Sequence, residues 1–133
     1  MVIRNFQLQD TEQVIALWKR AKVFYLPWDT PQNLQLKHSK EPNLFLVAEE
    51  KGKIVGAVMG QYDGWGAYIH HLVAIDNYKS LSDFLLQEIE QRLKKQGAKN
   101  IFIFTYPQST ESKLMPKHNF KLWGLSEGWE KNL

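Results

Sequence analysis

The chain has 133 residues, 44% hydrophobic and 23% charged, with a net charge of +3, which suits one domain over residues 1–133 with a real core. It has no cysteine, which excludes disulfide frameworks, thiolate zinc sites and cysteine nucleophiles, and no apolar run approaches the ~20 residues of a membrane span. The opening MVIRNFQLQD lacks the basic start and apolar stretch of a secretion signal, so a cytoplasmic location is expected, and the scattered lysines form no stripe for nucleic acid.

Val2 to Phe6 reads as a first strand. Asp10 is placed to cap a helix whose apolar positions Val14, Leu17, Trp18 and Ala21 follow the helical period. The loop VFYLPWDTPQ follows, and Thr30 before Pro31 supplies a cap and first-turn proline for a second helix ending near Glu41-Pro42. Asn43 to Glu50 is a strand, and Glu50-Lys51-Gly52-Lys53 a hairpin turn. Ile54 to Tyr62 is its partner; a turn through Asp63-Gly64 leads to a further strand over residues 66–75, completing an antiparallel meander. Glu49 and Glu50, at the hairpin tip, read as solvated.

A helix of about 15 residues is expected from Ser80 or Ser82 to Gln96, with Leu81, Leu85, Leu86, Ile89 and Leu93 on its apolar face and Gly97 ending it. Lys99 to Tyr106 reads as a strand parallel to the one before the helix. Ser109 or Thr110 starts a last short helix, and Phe120 to Trp129 reads as a final strand. The order β-α-α-β-β-β-α-β-α-β is a mixed α/β sheet.

FLVAEEKGKIVGAVMGQYDG, LVAIDNYKS and QSTESKLMPKHNFKLWG resemble the hairpin, the fourth-strand exit and the last helix of the GCN5-related N-acetyltransferase (GNAT) superfamily. The resemblance covers nearly the whole chain and implies that superfamily's fold. It also implies an N-acetyltransferase using acetyl-CoA as cosubstrate, without a metal, on a small-molecule or protein amine, with no nucleic-acid or membrane partner. A homodimer is the assembly left open.

In that family the pyrophosphate of acyl-CoA rests on the loop between fourth strand and long helix, usually [RQ]-x-x-G-x-[GA]. Here Lys79 stands at the arginine position, with Ser80 and Ser82 where the glycines are usual. Leu72, Val73 and Ala74 on the strand, Leu81 at the helix start and Gln108 at the last helix complete the implied cofactor contacts. An anion site at a helix start gathers unpaired backbone N–H groups and favours negative charge. Asp83 in the first turn opposes that, while suiting the bare helix. At the tyrosine that usually protonates the thiolate stands Met115, followed by Pro116, and methionine has no proton to donate. These departures keep a second expectation open, a GNAT-fold binding or regulatory protein without catalysis.

Tyr106 is the candidate for a displaced acid, and one of His70 and His71 for the general base, since imidazole titrates near neutrality. Neighbouring strand residues face opposite ways, so only one histidine is expected in the cleft. Phe24, Tyr25 and Trp28 line an acceptor pocket or cover the core edge.

Overall fold

The structure is a computed structural model and describes residues 1–21, 26–75, 78, 80–124 and 127–133. Five strands, β1 (Val2–Asn5), β2 (Phe45–Glu50), β3 (Lys53–Tyr62), β4 (Ala67–Ala74) and β5 (Phe102–Ile103), form one sheet in chain order. The first four pair antiparallel, and β5 lies parallel to β4. Helices α1 (Thr11–Ala21) and α2 (Pro31–Lys40) cover one face, α3 (Leu81–Lys95) covers the other, and α4 (Thr110–Leu114) follows β5.

Local chemistry accounts for these elements. Thr30 caps α2 by accepting from the Asn33 amide, with Pro31 in the first turn. The β2–β3 hairpin turns through Lys51 (φ +51°) and Gly52 (φ +78°), two consecutive positive φ values as a type I′ turn requires. After α3, Gly97 at φ +107° lets its own N–H bond Lys94 O and the Ala98 N–H bond Leu93 O. Both faces hold a core. Leu46, Val58, Ile69 and Leu72 meet Leu81, Leu85, Leu86, Ile89 and Leu93 of α3, and Phe45, Val47, Ala57 and Met59 meet Val14, Leu17, Trp18 and Leu34. On the α3 face, a Cβ at Gly56 would stand 2.9 Å from Leu85 and 3.1 Å from Leu81, so the missing side chain sets how closely α3 seats.

Several expectations are corrected. Asp10 precedes α1, but its carboxylate turns back, accepting from the Gln7 amide at 2.8 Å and from Arg4 Nη1 at 2.7 Å. Burial pushes Asp10 up; the Arg4 hydrogen bonds and the Gln7 amide outweigh this and hold it below the usual carboxylate value. Glu49 is not simply solvated, because Arg4 reaches it at 2.6 Å, and Glu50 pairs with the N-terminal ammonium at 2.7 Å. The strand expected over residues 99–106 shrinks to Phe102–Ile103.

The final strand over residues 120–129 does not form among its described residues, which have no regular structure beyond the short helices and are mostly exposed. Without a long β5 there is no ladder for it to join. Gly124 at φ +98° and Gly128 further weaken it.

Candidate active site

The site forms where β4 is irregular. Its pairing with β3 runs Gly56↔Ala74, Ala57↔Val73 and then Met59↔His70. Val58 therefore opposes both His71 and Leu72, which is a β-bulge. His71 takes φ +53°, a conformation uncommon outside glycine but better tolerated by histidine than by most residues. The bulge breaks the alternation that predicted histidines facing opposite ways. Both rings turn toward the α1–α2 face, their Nδ1 atoms 3.1 Å apart, with His71 stacked obliquely on Trp18 at 4.6 Å.

Along its other edge β4 pairs with β5 only through Tyr68↔Phe102 and Ile69↔Ile103. From His70 onward the two parallel strands part, so the bulge opens at a fork in the sheet.

Asp29, in the loop before α2, completes the cluster. Both its oxygens lie 3.0 Å from His71 Nε2, and Oδ2 also accepts from the Leu26 amide at 2.6 Å. Asp29 and His71 are each 5% exposed. A carboxylate can only accept, so a neutral His71 facing it carries its hydrogen on Nε2 and holds a lone pair at Nδ1. The proton between the two Nδ1 atoms then belongs to His70. The network thus assigns His70 Nε2 an unprotonated lone pair, and that nitrogen is buried without a hydrogen-bond partner among the described residues. Burial, with contributions from His71 and Lys37, lowers the His70 pKa to about 3. Lys37 is half-buried, its ammonium held by Glu41 and the Gly60 carbonyl, and desolvation lowers its pKa against the pull of Glu41.

The start of α3 has a different character. Ser80 sits at the N-cap with φ +64° and makes no side-chain cap bond, and Ser82 lies inside the first turn, so neither serine caps as expected. The Leu81 amide bonds Tyr78 O at 3.2 Å, and the Phe84 amide bonds Ser80 O at 3.1 Å. Asp83 does not face the helix start alone, because Lys117 Nζ lies 2.7 Å and His118 Nε2 3.1 Å from its Oδ1. Lys117 above all, against burial and helped by His118, holds the carboxyl below its usual value. His118 Nδ1 faces Glu90 at 3.5 Å, and burial raises Glu90.

Of the residues expected at the site, Leu72 joins the α3-side core and Val73 the α1-side core. Together with half-buried Ala74 they offer a ligand their backbone. Leu81 is buried, Trp28 is 49% exposed and Tyr106, beyond β5, is 60% exposed. Gln108 is exposed at φ +62° in the turn before α4, and Met115 packs against the α3-side core. Lys79, Phe24 and Tyr25 lie outside the described residues. A cleft of about 980 Å³ runs between α3, β5 and residues 112–123, lined by Lys94, Phe102, Phe120 and Trp123 among others; it contains none of Asp29, His70 and His71. Asp29 was missed in the sequence, where its only signal is a carboxylate between an aromatic cluster and the Thr-Pro cap.

Comparison with known proteins places the chain in a family. Residues 8–120 match the acetyltransferase (GNAT) family. An acetyltransferase of Sodalis glossinidius is 36% identical over 104 residues, 76% of this chain and 72% of the relative. An N-acetyltransferase structure from Staphylococcus aureus Mu50 superposes with a TM-score of 0.78 at 21% identity, over 92% of this chain and 84% of that one. An acetyltransferase from Clostridium acetobutylicum crystallised with acetyl-CoA gives a TM-score of 0.71 at 15% identity, over 98% and 95% of the two chains.

Proposed function

The chain belongs to the acetyltransferase (GNAT) family, and on that premise we propose that it moves the acetyl group of acetyl-CoA onto an amine at the fork between β4 and β5. The observation that carries this is the buried Nε2 of His70, which has no hydrogen-bond partner among the described residues and sits on the first residue of β4 beyond its last β5 pair. A buried acceptor without a partner costs about 1–3 kcal/mol, and a bridging water or a substrate proton at this nitrogen would relieve that cost.

The edge of β4 from Leu72 to Ala74 suits the two amides of the pantetheine arm, which would add to the strand as a peptide does. The pyrophosphate would then lie toward Lys79, Ser80 and Ser82 at the start of α3, with Leu81 and Gln108 flanking. Lys117 offsets the charge of Asp83, which lifts part of the objection to an anion there.

The amine nitrogen attacks the acetyl carbonyl carbon, forming a C–N bond while its proton passes to His70 Nε2. The C–S bond breaks with its electron pair on sulfur, and the thiolate takes a proton from Tyr106, which regains one from water. An amine that arrives as an ammonium first gives one proton to solvent. Trp28, with Phe24 and Tyr25, would border the acceptor.

The test incubates the purified protein with acetyl-CoA and a panel of polyamines, amino acids and peptides, following free thiol. Thiol release that requires an amine is expected, and acetyl-CoA at ~100 times its dissociation constant should stabilise the fold by ~2.7 kcal/mol. Stabilisation without turnover across the panel would favour a binding module. Neither stabilisation nor turnover at millimolar acetyl-CoA would overturn the proposal.

A further inference from the structure

We propose that Asp29 and His71 form, with His70, a buried proton relay in which the charge gained from the amine comes to rest on His71 beside Asp29 rather than on His70. This rests on the reading of His70 as the base. It adds two positioning residues that act through that base and need not touch substrate.

Asp29 holds hydrogen on His71 Nε2 at 3.0 Å, and the 3.1 Å contact between the Nδ1 atoms then holds hydrogen on His70 Nδ1. His70 Nε2 is left as the only ring nitrogen of the pair with a lone pair outside the network. When it takes the amine proton, the Nδ1 proton of His70 can cross to His71 Nδ1. His70 is then neutral with hydrogen on Nε2, and His71 is an imidazolium with hydrogen on both nitrogens, its charge against the Asp29 carboxylate. No atom is gained or lost, and reversal restores the starting state once the proton leaves to water.

The surroundings favour that destination. Of the groups that face His70, Lys37 of α2 is cationic, with Glu41 bound to its ammonium, and His71 is its neighbour on β4. A charge fixed on His70 would meet Lys37 in a buried setting, and burial already drives His70 strongly toward its neutral form. On His71, the same charge meets a carboxylate 3.0 Å away. Pairs that share a proton this closely titrate as a unit, so the apparent pKa in a rate profile belongs to the pair.

Asp29→Asn is the discriminating variant. An asparagine can still accept the Leu26 amide, but its NH2 can donate to His71 Nε2. That moves hydrogen to His71 Nδ1 and in turn to His70 Nε2, which blocks the base. A drop in kcat of ~10²–10⁴-fold is expected, by the logic of a mis-set tautomer, with the KM for acetyl-CoA unchanged. Nitrogen-15 NMR of labelled histidines reads the cause directly, in the native protein as well as the variant. His70 should carry hydrogen on Nδ1 in the native protein and on Nε2 in Asp29→Asn. Hydrogen on Nε2 of native His70, or an Asp29→Asn enzyme with native kcat, would overturn the relay. If His70→Gln removes activity while Asp29→Asn does not, only the relay falls. If His70→Gln retains activity, the base reading falls as well.

Discussion

The two ends of the β4–α3 unit use polar groups in opposite ways. At the fork, Asp29 and His71 are almost wholly buried and joined to His70 in a single chain of hydrogen bonds. At the start of α3, Asp83 meets Lys117, whose side chain is 65% exposed, in an arrangement that water and salt can screen. A buried network fixes tautomers, because each lone pair and proton has one place to go. An ion pair with one exposed partner fixes little beyond local charge. Catalytic direction is therefore expected from the fork, and adjustable affinity from the helix start.

The sharpest way to break this contrast is to remove the base. His70→Gln should lower kcat by ~10²–10⁴-fold, equal to ~3–5 kcal/mol of transition-state stabilisation at about 1.36 kcal/mol per decade. Acetyl-CoA affinity, measured by calorimetry, should hold. A parallel loss of affinity would mean that His70 supports the cosubstrate rather than the proton.

Packing offers a variant that disturbs the helix start and spares the fork. Gly56→Val would drive a branched side chain into Leu85 and Leu81, already 2.9 and 3.1 Å from a first added carbon. Overpacking of this kind costs about 1–3 kcal/mol. The loss should show in chemical denaturation, with weaker acetyl-CoA binding as α3 shifts. The His70 tautomer should be unchanged, because the histidine cluster faces the other side of the sheet. A changed tautomer would show that the two ends are mechanically coupled.

What could be read from the sequence was local. The Thr30-Pro31 cap, the Lys51-Gly52 turn and the apolar stripe of α3 each depend on residues a few positions apart, and each is present as expected. The site depends on register and distance. Strand alternation argues that His70 and His71 diverge, and only the slip of β4 against Val58 brings them together. Asp29 reaches His71 across 42 positions, and His118 reaches Asp83 across 35, with no spacing rule to announce either. The missing last strand has the same origin, since a segment with strand-like residues still needs an edge to pair with.

The fork should also mark the pH dependence of stability. His70 is lowered to about 3 in the folded protein, against about 6.5 in an unfolded chain. With the proton confined to His70, the unfolded chain below pH 6.5 binds a proton that the folded one refuses, and stability falls as pH drops from there toward 3; transfer of the proton to His71 would make the fall shallower. Between pH 7 and 5 the loss is on the order of 2 kcal/mol, from 1.5 units at about 1.36 kcal/mol each. Denaturation midpoints at the two pH values should show it, and His70→Gln should flatten the slope. An equally steep slope in that variant would place the titration elsewhere.

The smallest effect belongs to the helix start. Asp83→Asn removes a carboxylate from the first turn of α3 and leaves Lys117 without its partner there. If the pyrophosphate lies at that end, the variant should bind acetyl-CoA more tightly by ~0.3–1 kcal/mol, the usual scale for one charge at a helix terminus. This is about two- to fivefold in affinity, and it should shrink as salt rises because the cluster is open to solvent. Turnover at saturating acetyl-CoA should not change, since the proton chemistry lies on the opposite face. Unchanged affinity at low salt would take the pyrophosphate away from α3. Weaker affinity would give Asp83 the opposite role, holding Lys117 where the anion needs it. In either case the fork would keep its chemistry, because His71 packs on Trp18 at the α1–α2 face while Asp83 stands on α3 across the sheet.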